Sequence, residues 1–441
     1  MMILRDNTTY YSTAENLEQY LSLQNVANRR ISELLDENGN DLLIYPHSFS
    51  QCEDETGKQV LLSMQTSWKE RQCTKVILET GNMAGFIEVN GQSVSIHSRF
   101  AKDAGEDLFL HYMLHKILCI NVVDMPHGTE EERIFDFLQY LFPGFLNEAL
   151  SQGMYKEYQQ NEYNDANVRG MIEVGRHIRT NMPFYGRIAY RVREFSHDNH
   201  VTELIRHTIE YISKTRYGLA LLENNEETHA SVARIIAATP RYDKNERERI
   251  IRSNLRIVCH PYYSRYVPLQ KLCLRILKHE GIKYGKKNDK IHGILFDVAY
   301  LWEEYLATII AGRGFKHPNN KKRTGRIHLA KGSMFPRYPD FHREHDRIVI
   351  DAKYKREINR DDIHQMIAYM YRMKGQAGFF IQPGAGNWRN ESHELLGYGA
   401  ENSAKLHTYF HNIPQIANDY GQFVAGMMMS EDTLKSQFTF K

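Results

Sequence analysis

The chain has 441 residues, 42% hydrophobic and 25% charged, with a formal net charge of only +2. That length holds two or three domains with sizeable cores, and the composition excludes a disordered or fibrous polypeptide. It also excludes a uniformly basic surface, so a DNA partner would have to be met by local patches. The opening stretch MMILRDNTTYYSTAENLEQY lacks the apolar core of a signal peptide. No segment is apolar for long enough to span a membrane. Five scattered cysteines without CxxC pairing read as reduced thiols, neither a disulfide framework nor a zinc site. A cytoplasmic protein without membrane attachment is expected.

Residues 1–104 are expected to form a β-rich domain, a small barrel or sandwich. DLLIYPHSF, KQVLLSM, KVILET, GFIEVNG and QSVSIHS each read as strands. Alternation on both sides of Asn90-Gly91 is a strong hairpin signal. Residues 105–285 read as a mostly helical middle region. Apolar periodicity runs through EDLFLHYMLHKILCI and EERIFDFLQYLFPGFLNEALSQGMYKEY, then returns at 199–224, 228–238, 243–258 and 268–280. Between them, 165–195 reads as irregular or β and is rich in arginine. The cluster Tyr262-Tyr263-Ser264-Arg265-Tyr266 could stack on bases, but packing between helices or an interface is the favoured reading. A boundary rich in Lys and Gly, Gly281 to Asp289, precedes a third domain over 286–441.

That third domain opens on GILFDVAYLWEEYLATIIAG, read as a helix from Gly293 to about Gly312. Val298, Trp302, Tyr305 and Ile309 form its apolar stripe. Glu303 flanks the stripe, while Glu304 points more to solvent. A carboxylate near a core is costly unless paired or metal-bound, so Glu303 is a candidate ligand, direct or through water. A basic loop follows, with Lys316, His317, Lys321, Lys322, Arg323 and Arg326, which Lys286 and Lys287 could extend. Beside a metal site its expected partner is phosphate.

Then comes PDFHREHDRIVIDAKYK. Ile348-Val349-Ile350 reads as a strand, so Asp351 and Lys353 share a face, and Asp340 can reach that face across a hairpin. Two carboxylates beside one ammonium suit a Mg²⁺ site with a water-positioning lysine. In DDIHQMIAYMYRMK, Gln365 and Tyr369 sit i, i+4 on one helix face, and Gly378–Gln382 reads as a further strand.

The order Glu303, Pro339-Asp340, Asp351-x-Lys353, Gln365-xxx-Tyr369 resembles the PD-(D/E)xK nuclease superfamily, and the Gln-xxx-Tyr element its RecB-like branch. WEEYL, PDF and IVIDAKYK resemble more narrowly the McrC family, the nuclease subunits of McrBC modification-dependent restriction systems. Asn167-Val168-Arg169-Gly170, Arg176-His177-Ile178 and Arg193–Asn199 look like McrC segments too. The resemblance covers roughly residues 75–385. It implies a multidomain α/β protein with a restriction-endonuclease-like C-terminal domain. It further implies Mg²⁺ on Asp340 and Asp351 with Glu303 assisting, Lys353 acting on the attacking water, and Gln365 and Tyr369 orienting the site. Double-stranded DNA would be the substrate. An McrB-like AAA+ GTPase ring would be the partner, bound by the 105–285 region, its hydrolysis stimulated through the regions before the nuclease domain. The chain has no GxxxxGK[ST] loop of its own, and no HExxH, GxSxG or zinc-spaced array. Two competing readings are a self-sufficient RecB-like repair nuclease, which would cut with Mg²⁺ alone, and a non-enzymatic adaptor, against which the intact Asp340, Asp351 and Lys353 speak.

Overall fold

The computed structural model describes all residues except 1, 14, 39–41, 50–54, 70–71, 90–91, 103–106, 119–129, 216–217, 224–225, 259, 283–290, 311, 319–324, 333, 387–388, 397–403, 418 and 439–441. The chain forms two compact units, one of residues 1–134 with 286–441 and one of residues 135–285. Both mix helices and sheets, an α/β architecture. Among the described residues, no helix is long and apolar enough to cross a membrane.

Segment 292–297 explains why the two chain ends join. Expected as the start of a helix, it is instead the strand His292–Asp297, and the helix runs only over Val298–Ile310. The strand lies inside the N-terminal sheet, antiparallel to Met83–Val89 and parallel to Leu42–Tyr45. A short apolar run fits either period; what decides it is a sheet position whose backbone groups need partners. Glycine permits the approach: a Cβ on Gly85, at φ +139°, would lie 2.2 Å from the Ile294 carbonyl oxygen. The part beginning at 286 is therefore not structurally separate from residues 1–104.

The strands read from alternation in the N-terminal region are present, joined by two short ones the pattern did not reveal, Met2–Arg5 and Thr9–Tyr11. Together with strand His292–Asp297 they form a five-stranded sheet and a three-stranded sheet. Asn90 and Gly91 lie outside the described residues, but the strands they join pair antiparallel with Val89 opposite Gln92. Leu4, Leu34, Ile44, Leu62, Leu78, Val94 and Leu295 share one core.

In the 135–285 unit, helix His200–Ile212 is started by Asn199, whose side chain accepts from the Val201 and Thr202 N–H groups. The helical stretches are shorter than periodicity suggests. The 199–224 stretch is two helices, His200–Ile212 and Gly218–Leu222, and Lys156 onward turns into strand Glu157–Asp165. That strand, Ile188–Ser196 and Met171–Ile172 make a small antiparallel sheet with helix Val174–Thr180 beside it. The tyrosine cluster packs: Tyr266 is buried, and Tyr263 meets Tyr155 and Tyr266 edge-on at 5.0 and 5.6 Å.

The C-terminal sheet has the order Phe341–Arg343, Ile348–Ala352, Ala377–Gly384, Lys405–Asn412, Glu391–Glu394. The first pair is an antiparallel hairpin. Ile348–Ala352 and Ala377–Gly384 are parallel, with helix Arg360–Met373 as the crossover. Val349, Met366, Tyr369, Met370, Phe380 and Leu406 fill the space between helix and sheet. Val298, Trp302, Tyr305 and Ile309 are all buried, as the stripe requires, and Trp302 donates its indole N–H to the Ile381 carbonyl at 3.2 Å. Beyond Gly384, where the sequence offers little to recognise, helix Tyr420–Gln437 supplies the buried Glu431. Its carboxylate accepts from Tyr112 at 2.7 Å and Tyr305 at 3.1 Å and pairs with Lys116 at 3.0 Å.

Candidate active site

The hairpin register sets the geometry. Phe341 faces Ile350 as the last pair of the hairpin, and the residues that follow outward, Asp340 and Asp351, interact through their carboxylates. Asp340 Oδ2 accepts the Ala352 N–H at 2.8 Å, which holds its carboxylate at the end of the Asp351 strand. Lys353 continues that strand, its N–H donating to the Ile381 carbonyl at 3.0 Å. The Lys353 ammonium lies 2.8 Å from Asp351 Oδ2 and 3.3 Å from Asp362 Oδ1. It donates to Gln365 Oε1 at 2.9 Å. Gln365 in turn donates to the Tyr369 hydroxyl at 2.7 Å, and Tyr369 donates to the Tyr338 carbonyl at 3.0 Å. The i, i+4 pair thus forms a relay that fixes the lysine.

The helix carrying that pair begins with a capping box between Asn359 and Asp362. Asp362 also receives Lys355 at 2.7 and 2.8 Å. Burial works against its charge, but Lys355 and the Asn359 N–H outweigh it and hold its carboxyl below the ordinary range.

Charge is densest at Asp340. Burial, then the Glu303 and Asp351 carboxylates, push its pKa well above the ordinary value. Carboxylates this close cannot all stay ionised without a proton or a cation between them. Burial likewise opposes the Lys353 charge, yet Asp351, Asp362 and Asp340 more than offset it and hold the ammonium protonated beyond its usual range. The buried Tyr369 hydroxyl is raised as well, by burial first and then by the same two carboxylates.

These residues suit a hard divalent cation. Asp351 Oδ2 is buried, and its contact with Lys353 is an ion pair without hydrogen-bond alignment, so it keeps an unused lone pair. Among the described residues, no three His, Cys, Asp or Glu side chains form a ready-made cage. Mg²⁺ is usually held by one or two carboxylates with the remaining oxygens from water or substrate phosphate, and Asp340 and Asp351 are two such carboxylates.

Two positions show what local reading could not assign. His317, placed by sequence in the basic loop, stacks on Phe341 at 4.5 Å, with Nδ1 3.0 Å from the Asp340 carbonyl and Nε2 3.4 Å from Glu304. Burial disfavours its charge, but Glu304, the Asp340 carbonyl and Glu303 raise its pKa overall. Glu303 lies 4.0 Å from the same imidazole. Glu303 and Glu304 are 23% and 31% exposed, so the expected contrast in burial is small. Asp362, read only as a helix-start residue, is the second carboxylate on Lys353.

The basic loop is only partly visible. Lys316 is exposed and paired with Glu344 at 2.6 Å, while its backbone bridges to His342. Arg326 is exposed. Lys321, Lys322, Arg323, Lys286 and Lys287 lie outside the described residues.

Among solved structures, a refined half-complex from a tetradecameric assembly of Thermococcus gammatolerans McrB AAA+ hexamers with bound McrC is similar at 13% identity and a TM-score of 0.44, covering 99% of this chain and 99% of that one. The cryo-EM structure of the Thermococcus gammatolerans McrBC complex is similar at 14% identity and a TM-score of 0.31, covering 71% of this chain and 87% of that one. No curated protein matches the chain. The model of the family described as McrBC 5-methylcytosine restriction system component matches residues 78–383, a span that runs from the N-terminal sheet through the Asp340–Asp351–Lys353 cluster. The chain therefore belongs to that family.

Proposed function

We propose that the chain is the Mg²⁺-dependent DNA endonuclease subunit of an McrBC-like restriction system, working in the cytoplasm with an AAA+ GTPase ring and stimulating its hydrolysis. The observation that carries this reading is the close pair of the half-buried Asp340 and the buried Asp351, whose mutual charge calls for a cation, beside an ammonium locked by Asp362, Gln365 and Tyr369. Asp340 and Asp351, with Glu303 near, would hold Mg²⁺, and when bound it supplies Lewis-acid polarisation of a phosphodiester.

The remaining roles belong to the chain's own groups. The Lys353 ammonium orients the attacking water and stabilises charge developing on the phosphorus oxygens. Gln365 and Tyr369 keep it from swinging away. Arg326 and the basic loop, including Lys316, Lys321, Lys322 and Arg323, would meet DNA phosphates.

The partner-binding role rests on family membership and on the 135–285 unit. Its small sheet region exposes Met171, Val174, Met182, Phe184 and Tyr185, the last at 84%. Such a grouping marks an interaction surface more often than a solvated one.

The test is cleavage of methylated duplex DNA by the purified chain with Mg²⁺, with and without the cognate AAA+ protein and GTP. Cutting should require both proteins. Robust, nucleotide-independent cutting by the chain alone would replace this reading with the self-sufficient nuclease. No cutting with partner, GTP and Mg²⁺ present would leave a non-enzymatic adaptor.

A further inference from the structure

After the Asp351 strand the chain continues as Lys353-Tyr354-Lys355-Arg356-Glu357, and this segment lines a cleft of about 690 Å³. Much of the remaining lining comes from far upstream: Asn7, Thr8, Thr9, Asn82 and Arg99. The two linings are tied together. Tyr354 is buried, its hydroxyl is 2.7 Å from Ser98 Oγ, and the Arg99 guanidinium stands 4.8 Å over its ring. Arg99 is itself neutralised by the buried Asp6, at 2.6 and 2.9 Å. The N-terminal sheet thus fixes the exit of the catalytic strand and forms part of the cleft.

The lining holds four cations, Arg99, Lys353, Lys355 and Arg356, against one carboxylate, Glu357. Three of the cations are already engaged: Arg99 by Asp6, Lys353 by Asp351 and Asp362, and Lys355 by Asp362. Arg356 is different. It is exposed, its described hydrogen bond goes to the Arg99 carbonyl at 3.1 Å, and among the described residues it forms no ion pair with a carboxylate. The Lys353 and Lys355 ammoniums both turn to Asp362, so Arg356 is the cation of the lining left for an outside anion. The cleft that it lines, at about 690 Å³ and reaching Thr8 and Thr9, is far larger than one small anion needs and suits a polymer with a charge about every 3.4 Å of strand axis.

We propose that this cleft carries the phosphodiester backbone of the nucleic acid next to the bond to be cut, with Arg356 on one bank as a phosphate contact and Thr9 of the N-terminal region on the other. The inference rests on the nuclease reading of the adjoining Lys353 site, and it makes the N-terminal region part of the substrate groove.

The experiment is binding of a labelled DNA duplex to the full-length chain by fluorescence anisotropy, without divalent cation, at several salt concentrations. Arg356→Ala should weaken binding about 3- to 10-fold at low salt and reduce the salt slope by about 1. Thr9→Asp, which puts a carboxylate on the N-terminal bank, should weaken it comparably. Asp351→Ala should still bind. Both cleft positions are exposed, so unchanged melting temperatures would show that the fold is intact. Parental binding by Arg356→Ala or by Thr9→Asp would overturn the proposal. So would displacement of DNA from the parent, but not from Arg356→Ala, by inorganic phosphate at concentrations too low to act through ionic strength, since that marks a free-anion site. The nuclease reading fails separately: a chain whose binding responds to both substitutions but that never cuts with Mg²⁺, partner and GTP keeps the cleft and loses the nuclease. A chain that cuts yet ignores both substitutions does the reverse.

Discussion

In the Asp351 sheet, carboxylates lie inside; in the small sheet region of the 135–285 unit, large apolar side chains lie outside. Both invert the usual distribution, and the inversions have different remedies. Asp351 and Asp362 are buried and Asp340 half-buried, a state tolerable only because Lys353, Lys355 and backbone N–H groups face them. Met182, Phe184 and Tyr185 stay largely exposed, Phe184 touching the His177 ring edge-on at 5.9 Å. The charged residues around them are partly absorbed: Arg176 pairs with Glu173 at 2.7 Å and donates to two backbone carbonyls, while Arg169 and Arg193 lie over Tyr163 and Tyr158. A buried polar cluster points to chemistry or bound charge; an exposed apolar one points to another macromolecule.

The strongest way to break this comparison is at the buried cluster. Asp351→Ala or Lys353→Ala should lower the cleavage rate on the order of 10²–10³-fold, while far-UV circular dichroism and assembly with the partner stay parental. Either variant cutting like the parent at matched Mg²⁺ would remove the site assignment.

The exposed cluster comes next. Ile178, Phe184 and Tyr185 replaced together by Ser should leave stability within about 0.5 kcal/mol per site. The same variant should lose roughly 10-fold or more of the stimulation of GTP hydrolysis by the AAA+ ring, as central apolar anchors do when removed. Full stimulation would show that this face is not the docking surface. Deleting residues 1–285 is a poor version of this experiment, because strand His292–Asp297 would lose both neighbours in its sheet.

A finer distinction separates Glu303 from Glu304. Glu303 acts on the Asp340 carboxyl, whereas Glu304 faces His317. In Mg²⁺ titrations of cleavage, Glu303→Gln should raise the requirement about 10-fold more than Glu304→Gln. The opposite ranking would move the cation away from Glu303.

The smallest effect concerns acid stability. Burial depresses His207 in the 135–285 unit to about 4 and His411, on strand Lys405–Asn412 of the Asp351 sheet, to about 3. An unfolded histidine titrates near 6.5, so between the two values the unfolded chain binds more protons than the native one. Both contributions are therefore complete above pH 6.5 and are lost as the pH falls toward 4 and 3. Urea midpoints should fall between pH 7 and pH 5, and His207→Gln should flatten that fall; identical slopes would exclude His207 as a source.

Local pattern was enough for several features. Alternation located most strands around the N-terminal core, and a 3.6-residue period predicted that Val298, Trp302, Tyr305 and Ile309 would be buried together. Strand geometry and i, i+4 spacing predicted that Asp351 would meet Lys353 and Gln365 would meet Tyr369. These are short-range consequences of covalent geometry, with side chains two apart on a strand or four apart on a helix sharing a face. Tertiary structure decided the rest. GILFD reads as the start of a helix and becomes a strand only when Ile87 and Leu43 are placed beside it from some two hundred residues upstream. His317 reads as a loop cation until Glu304 and the Asp340 carbonyl meet it from two other segments. Asp362 reads as a cap until Lys353 and Lys355 reach it, and nothing near Asp351 announces that Arg99 will meet Arg356 or that Thr9 will line the same cleft. A pattern along the chain encodes which face a side chain takes, but the partner on that face comes from elsewhere in the chain, and only the assembled sheets bring it there.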